Sequence, residues 1–292
     1  MADATPTGTT ASSELELPAH WLITGASSGL GRHLVERALT EGDHVIATVR
    51  REGTLDDLVD AHGARLVVER LDVSDADELG GFLHRILEGH QRIDVVVNNA
   101  GYSAVGAAEE LTDDQIRHQL DTLLVAPIRI TRAFLGHMRV RGNGRIIAIS
   151  SMGGQCAYPG GSAYHTAKWG LEGFTESVSK EMAEFGIRCT IVEPGATRTG
   201  FGSNMVFATA LPDYADSAAG HIRQFATTAG DNVYVGDPAK LAQAIFATTR
   251  AAEPPLRLAL GHDAYDTIHD VLTERLQLLE QQEDLARAVL FD

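Results

Sequence analysis

Short apolar runs recur along the chain, and each is followed by a stretch in which apolar residues return every three or four positions. His20-Trp21-Leu22-Ile23-Thr24 is the first run, and Leu34, Val35, Ala38 and Leu39 behind it share one helical face. This pattern predicts strands near 20–24, 44–49, 65–71, 93–97, 144–150, 187–192 and 256–260. It predicts helices near 29–41, 54–61, 75–89, 112–139, 163–185 and 237–250. Asp237-Pro238 suits a helix start, with Asp as cap and Pro in the first turn. Ile93-Asp94-Val95-Val96-Val97, apolar but for Asp94, reads as a buried strand. The alternation implies an α/β fold: a doubly wound parallel sheet of about seven strands, covered by helices on both faces and joined by right-handed crossovers.

Three segments fall outside the alternation. Residues 1–18 are rich in Ala, Thr and Ser without an apolar signal core and read as a disordered tail. Residues 200–236 are irregular but carry Phe201, Met205, Phe207, Leu211, Tyr214 and Phe225, which suits a substrate lid or a core-packed connector. Residues 263–292 place Tyr265, Ile268, Val271, Leu272, Leu276 and Leu279 at helical spacing and read as a helical extension docked on the sheet edge. The unit between, 19–262, is one continuous domain.

Composition narrows the partners. A net charge of −16 disfavours nucleic acid and anionic membrane surfaces. No run approaches the roughly 18 apolar residues of a membrane span, so a cytoplasmic location is expected. Cys156 and Cys189 form no C-x-x-C spacing, which points to neither a disulfide framework nor a zinc site, and no metal is expected. Cys189 sits in a strand-like run and belongs to the core; Cys156, between Ser151 and Tyr164, is placed at the pocket wall.

Four motifs carry the chemistry. Gly25-Ala26-Ser27-Ser28-Gly29-Leu30-Gly31 joins the first strand to the first helix, the context of a dinucleotide site. Gly25 would permit the tight turn, Gly29 close approach of a pyrophosphate, and Gly31 helix–strand packing, with the helix N-terminus facing the phosphates. Asn98-Asn99-Ala100-Gly101 ends the fourth predicted strand and suits either close passage of a ligand or a plain Asn/Gly turn. Ser150-Ser151 ends the next strand, where a hydroxyl either meets a substrate oxygen or caps a turn. Finally, Tyr164 lies four residues before Lys168, one of only three lysines; composition alone would give that spacing in about one such chain in sixteen. Residues i and i+4 share a helical face, where an ammonium would lower the phenol pKa from its usual value of about 10. His165 is adjacent to Tyr164 and so faces elsewhere on the helix; His118 and His137 have no metal-ligand partner at i+4.

In this order, with Pro194-Gly195 downstream, the motifs resemble the short-chain dehydrogenase/reductase family from about Trp21 to Leu260. The resemblance implies a Rossmann-type fold, a homo-oligomer, and hydride transfer between a nicotinamide dinucleotide and a small carbonyl or alcohol substrate. It makes Tyr164 the general acid/base, Lys168 the residue that tunes it and holds the nicotinamide ribose, and Ser151 the residue that orients the carbonyl. Cofactor contacts would come from Gly25, Ser27, Ser28, Gly29, Leu30, Gly31, Asp72, Asn99, Ala100, Gly101, Pro194, Gly195, Thr197 and Thr199, with Asp72 at the adenine. One departure stands out: Leu123 occupies a helix position where most members have asparagine, which helps fix a proton-relay water. Either the relay runs through backbone and water, or turnover is slower; at the extreme the chain is a catalytically weak dinucleotide-binding regulator or scaffold.

Charge addresses the cofactor. Val49 stands at the strand end where NAD-binding sites commonly carry an acid, and Arg50 and Arg51 follow. An arginine fork suits a 2′-phosphate. The expectation is therefore NADP(H) bound by Arg50, with NAD(H) as the other candidate. The apolar content of 200–236 points to an apolar carbonyl substrate.

Overall fold

Residues 15–90, 92–228 and 233–289 are described in the structure, a computed structural model. Among them nine strands follow in chain order: β1 (His20–Ile23), β2 (His44–Val49), β3 (Leu66–Arg70), β4 (Val95–Asn98), β5 (Ala104–Val105), β6 (Gly144–Ile149), β7 (Ile187–Pro194), β8 (Val206–Phe207) and β9 (Arg257–Leu260). The helices are α1 (Gly29–Thr40), α2 (Asp56–His62), α3 (Ala76–Gly89), α4 (Asp113–Leu120), α5 (Ala126–Arg141), α6 (Ser162–Met182), α7 (Ala218–Thr228), α8 (Pro238–Arg250), α9 (His262–Glu280) and α10 (Glu283–Arg287). Seven strands form one parallel sheet in the order β3-β2-β1-β4-β6-β7-β9. The doubly wound Rossmann-type sheet expected from the alternation is present. Of the tail expected over 1–18, residues 1–14 lie outside the described residues.

The period of two along each strand builds two cores. Trp21 and Ile23 of β1, Val95 and Val97 of β4, and Ile147 and Ile149 of β6 pack with α1 and α8 through Leu34, Ala38, Ile245 and Phe246. The intervening Leu22, Val96 and Ile146 pack on the other face with Phe82 of α3, Phe134 of α5 and Val178 of α6. Both faces are apolar because both are covered, which is why the strands do not alternate with polar residues. The winding reverses between β1 and β4, and the crevice beyond their C-terminal ends is where such sheets bind ligands.

The helix expected over 112–139 is interrupted. A capping box of Thr112 and Gln115 starts α4, and a π-turn over Asp121–Val125 joins it to α5. Pro127 has no N–H to offer the Leu123 carbonyl four residues back; instead, the Ala126 N–H reaches Asp121 O. The described residues of segment 200–236 form more regular structure than their pattern suggests: β8 pairs with β5 in a separate two-stranded sheet, and α7 follows. The C-terminal extension is α9 and α10, with Ala264 and Ile268 as its buried contacts.

Candidate active site

The site forms where β1, β4, β6 and β7 end. Gly25 and Gly29 adopt φ of 65° and 55°, the left-handed region that favours glycine. A Cβ on Gly25 would lie 2.6 Å from the Ala100 Cα, so the turn after β1 is seated directly on the turn after β4. Thr24 ties the two together: its Oγ1 accepts from the N–H groups of Asn99 (3.0 Å) and Ala100 (3.1 Å). The Asn99 side-chain amide donates to the carbonyls of Thr24 (2.9 Å) and Gly25 (3.0 Å) and sits against Gly31. Ser28 caps α1 without a side-chain bond to the first-turn amides. An uncapped helix N-terminus behind a left-handed glycine turn fits a dinucleotide pyrophosphate.

Beside this cradle, β6 ends at Ser150-Ser151. The Ser151 Oγ accepts from the Gly153 N–H at 3.0 Å, capping a single helical turn over Met152–Gly154. Opposite, α6 presents Tyr164 and Lys168 on one face. Lys168 is 6 % exposed, donates to the Ile149 carbonyl at 2.7 Å, and lies 5.7 Å from the centroid of the Tyr164 ring. Burial pushes Tyr164 up to about 12, against a hydrogen bond with Ser151 that favours ionisation. Burial also draws Lys168 down to about 8, against the Glu172 charge. The i+4 spacing alone would favour a depressed phenol; here burial is the largest influence on the ring and opposes ionisation more than the Ser151 hydrogen bond favours it, which holds the phenol as a proton donor.

At the other end, Arg50 lies just past β2, exposed and without an ion pair among the described residues. Arg51 does not line the cleft. Asp72 accepts from both Ser74 N–H (3.0 Å) and Ser74 Oγ (2.7 Å). Burial opposes ionisation of Asp72, yet Ser74 and the charges of Arg50 and His118 hold it below the usual carboxylate range. His118 joins Ser74 Oγ (3.2 Å) to the Tyr102 hydroxyl (2.6 Å), a role that the search for metal partners on its helix missed.

Two further residues escaped the sequence reading. His165 Nε2 accepts from the Tyr158 N–H (2.9 Å) and Nδ1 faces the Gly153 carbonyl (2.8 Å), pinning the wall loop to the Ser151 turn. Facing away from Tyr164 along α6 thus brings His165 to the same cleft from the side. Asp263, at the start of α9, accepts from the Ala196 N–H at 2.7 Å and packs over Gly195. Their partners lie on other turns or elements, so no local spacing announces them. Cys156, in contrast, is buried and off the cleft; its thiol donates to the Met152 carbonyl at 3.1 Å.

All these surfaces open on one cleft of about 590 Å³. Gly25, Ser27, Ser28, Gly29, Leu30, Gly31, Arg50, Asp72, Asn99, Ala100, Gly101, Ser151, Tyr164, Lys168, Pro194, Gly195, Thr197 and Thr199 all line it. Leu123 does not; it is 1 % exposed and packs against Gly101.

Residues 19–210 match the short chain dehydrogenase family. The chain belongs to the short-chain dehydrogenase/reductase family. It is 38 % identical over 251 residues to Oxidoreductase BOA17 of Botryotinia fuckeliana (strain B05.10), covering 84 % of this chain and 90 % of that one. It also superimposes with a TM-score of 0.87 on the crystal structure of a short-chain dehydrogenase from Streptomyces avermitilis, at 42 % identity over 94 % of this chain and 99 % of the other. A serine dehydrogenase in complex with NADP+ is similar at 26 % identity and a TM-score of 0.69, over 82 % of this chain and 94 % of that one. As a short-chain dehydrogenase/reductase, the protein is an NAD(P)-dependent oxidoreductase acting on CH–OH and C=O groups. No helix among its described residues is long and apolar enough to cross a membrane.

Proposed function

We propose that the protein is an NADP(H)-dependent carbonyl reductase, or the reverse alcohol dehydrogenase, for apolar substrates. The observation that carries this reading is the convergence of Ser151, Tyr164 and Lys168 on the cleft that also holds the glycine turn. Bound there, the dinucleotide supplies a hydride to the substrate carbon or takes one from it. The glycine turn and the α1 N-terminus hold its phosphates, Asn99 and Asp72 its adenosine half, and Arg50 its 2′-phosphate. Ser151 donates a hydrogen bond to the substrate oxygen. Tyr164, kept protonated by burial, delivers its proton to that oxygen in reduction and removes it in oxidation, while Lys168 supports the phenolate that remains. The Pro194–Thr199 segment holds the nicotinamide end.

Segment 200–236 serves as the lid. Phe201, Met205, Ile222, Phe225, Val233 and Tyr234 from this segment line the cleft, which supports an apolar substrate. Arg223 of α7 forms a bidentate pair with the buried Glu110, fastening the lid helix to the loop before α4. The homo-oligomer implied by the resemblance is part of the same reading and is checked by sedimentation equilibrium.

Tyr164→Phe tests the assignment. It keeps the ring and removes the proton carrier, so kcat should fall by about 100-fold or more while cofactor affinity stays near wild type. Retention of more than a tenth of wild-type turnover, in a screen of ketones and alcohols followed by nicotinamide absorbance, would sink the reading.

A further inference from the structure

Behind the Ser151 turn lies a buried charge cluster that stands off the cleft. At its centre Glu172, 3 % exposed, sits one helical turn beyond Lys168 on α6. Ser150 Oγ donates to Glu172 Oε1 at 2.5 Å, and Gln155 Nε2 donates to Oε2 at 2.9 Å. Ser150 precedes Ser151 and Gln155 follows Gly154, so one carboxylate grips both ends of the turn that carries Ser151. Gly154 itself has no room for a side chain, because Glu172 Oε1 and Ser150 Oγ occupy the space that a Cβ would take.

Burial raises the Glu172 pKa above the usual carboxylate range, and hydrogen bonds from Ser150 and Arg257 oppose that rise and favour the charged form. Arg257 Nη1 donates to Glu172 Oε2 (2.6 Å) and to Glu193 Oε1 (2.7 Å), and its Nη2 donates to Glu176 Oε2 (2.9 Å). Gln155 also donates to Glu193 at 3.0 Å. The groups around Glu172 are thus Lys168 and Glu176 on its own helix, Glu193 on β7, Arg257 on β9, and the Cys156 thiol. Three carboxylates face the Arg257 guanidinium and, at the outer Glu176, the Lys180 ammonium at 2.8 Å, which leaves one negative charge in excess beside Lys168. Around Lys168 itself stand Tyr164, Glu172 and the Ile149 carbonyl.

We propose that Glu172 is a positioning residue for the reaction: it fixes Ser151 through Ser150 and Gln155, and its charge keeps the buried Lys168 ammonium protonated in the working pH range. The proposal rests on Tyr164 and Lys168 forming the acid/base pair. Removing an anion lowers the pKa of every acid near it. Glu172→Gln, which keeps size and shape, should therefore move the ionisation seen in the pH profile of kcat downward by about one unit. The turnover maximum should also fall. Glu172→Asp, which retains the charge, should leave that ionisation close to its wild-type position.

The purified full chain is assayed from pH 5 to 10, with melting temperatures recorded alongside. A fall in kcat without any pH displacement in Glu172→Gln would overturn the electrostatic role. Lysine-selective ¹⁵N labelling gives a direct readout, since only Lys168, Lys180 and Lys240 contribute signals; an unmoved Lys168 titration overturns it equally. Should Glu172→Gln fail to fold, Ser150→Ala cuts one arm and leaves the charge. It should then lower kcat by about 3–10-fold with the profile in place, and wild-type turnover would overturn the proposal. Tyr164→Phe separates the two ideas. If it stays active, the acid/base reading fails. If it is inactive while Glu172→Gln shows no displacement, only the role of Glu172 fails.

Discussion

Replacement of Arg50 by alanine asks the most of the cofactor assignment. Arg50 lines the cleft just past β2, is exposed, and makes no ion pair among the described residues. Its removal breaks no internal hydrogen bond; its charge also acts on Asp72, which meets both cofactors alike, so the difference between NADPH and NADH is what reports on the 2′-phosphate. NADPH differs from NADH only in the 2′-phosphate, so the variant should weaken NADPH and spare NADH. A hydrogen bond to a charged group is worth roughly 1.5–3 kcal/mol, which is about 10–100-fold in Kd. Because the guanidinium is solvent-exposed and screened by salt, the lower half of that range is expected at 0.15 M ionic strength, with a larger effect in dilute buffer. Arg51, next in sequence but off the cleft, is the internal control: Arg51→Ala should change either affinity by less than about threefold. Both cofactors are titrated against wild type and both variants, following nicotinamide fluorescence at two salt concentrations. Equal losses for NADPH and NADH in Arg50→Ala, or an Arg51→Ala effect as large as that of Arg50→Ala, would refute the reasoning.

Two further outcomes follow from the buried groups. Leu123→Asn should lower the melting temperature, since a buried amide without partners costs about 1–3 kcal/mol, and a rise in kcat with a reduced solvent isotope effect would show instead that the missing asparagine limits proton transfer. His165 is neutral, because its Nε2 accepts from Tyr158, and burial holds its pKa below the ordinary value. The unfolded chain then binds the extra proton first, so this residue's contribution to stability is present above pH 6.5 and is lost as pH falls through and below that value. His20 shares the direction, lowered by burial and by His44. Melting temperature should therefore drop more steeply between pH 7 and 5 in wild type than in His165→Gln, and identical slopes would contradict the assignment.

The local patterns that determined most of the fold are those whose physics is local. The strands and helices were legible because covered parallel strands are apolar throughout and helices carry a stripe, so β1, α1 and β6 stand nearly where the pattern puts them. Glycines at a strand–helix junction, Asn99 at a strand end, and Tyr164 four residues before Lys168 were legible for the same reason: each motif spans only a few residues. Pro127 was visible too, but its effect on the turn containing Leu123 depends on how a long helix is accommodated beside Gly101. Tertiary structure alone decided the rest. It set the sign of the Tyr164 shift, because desolvation is a property of everything packed around the ring and outweighs the Ser151 hydrogen bond. It brought His165 to the Ser151 turn, Asp263 to Gly195, and Ser150, Gln155, Glu193 and Arg257 around Glu172. These contacts join residues up to 85 positions apart across the sheet, and a buried charge finds its partners by where the strands end rather than by spacing along the chain.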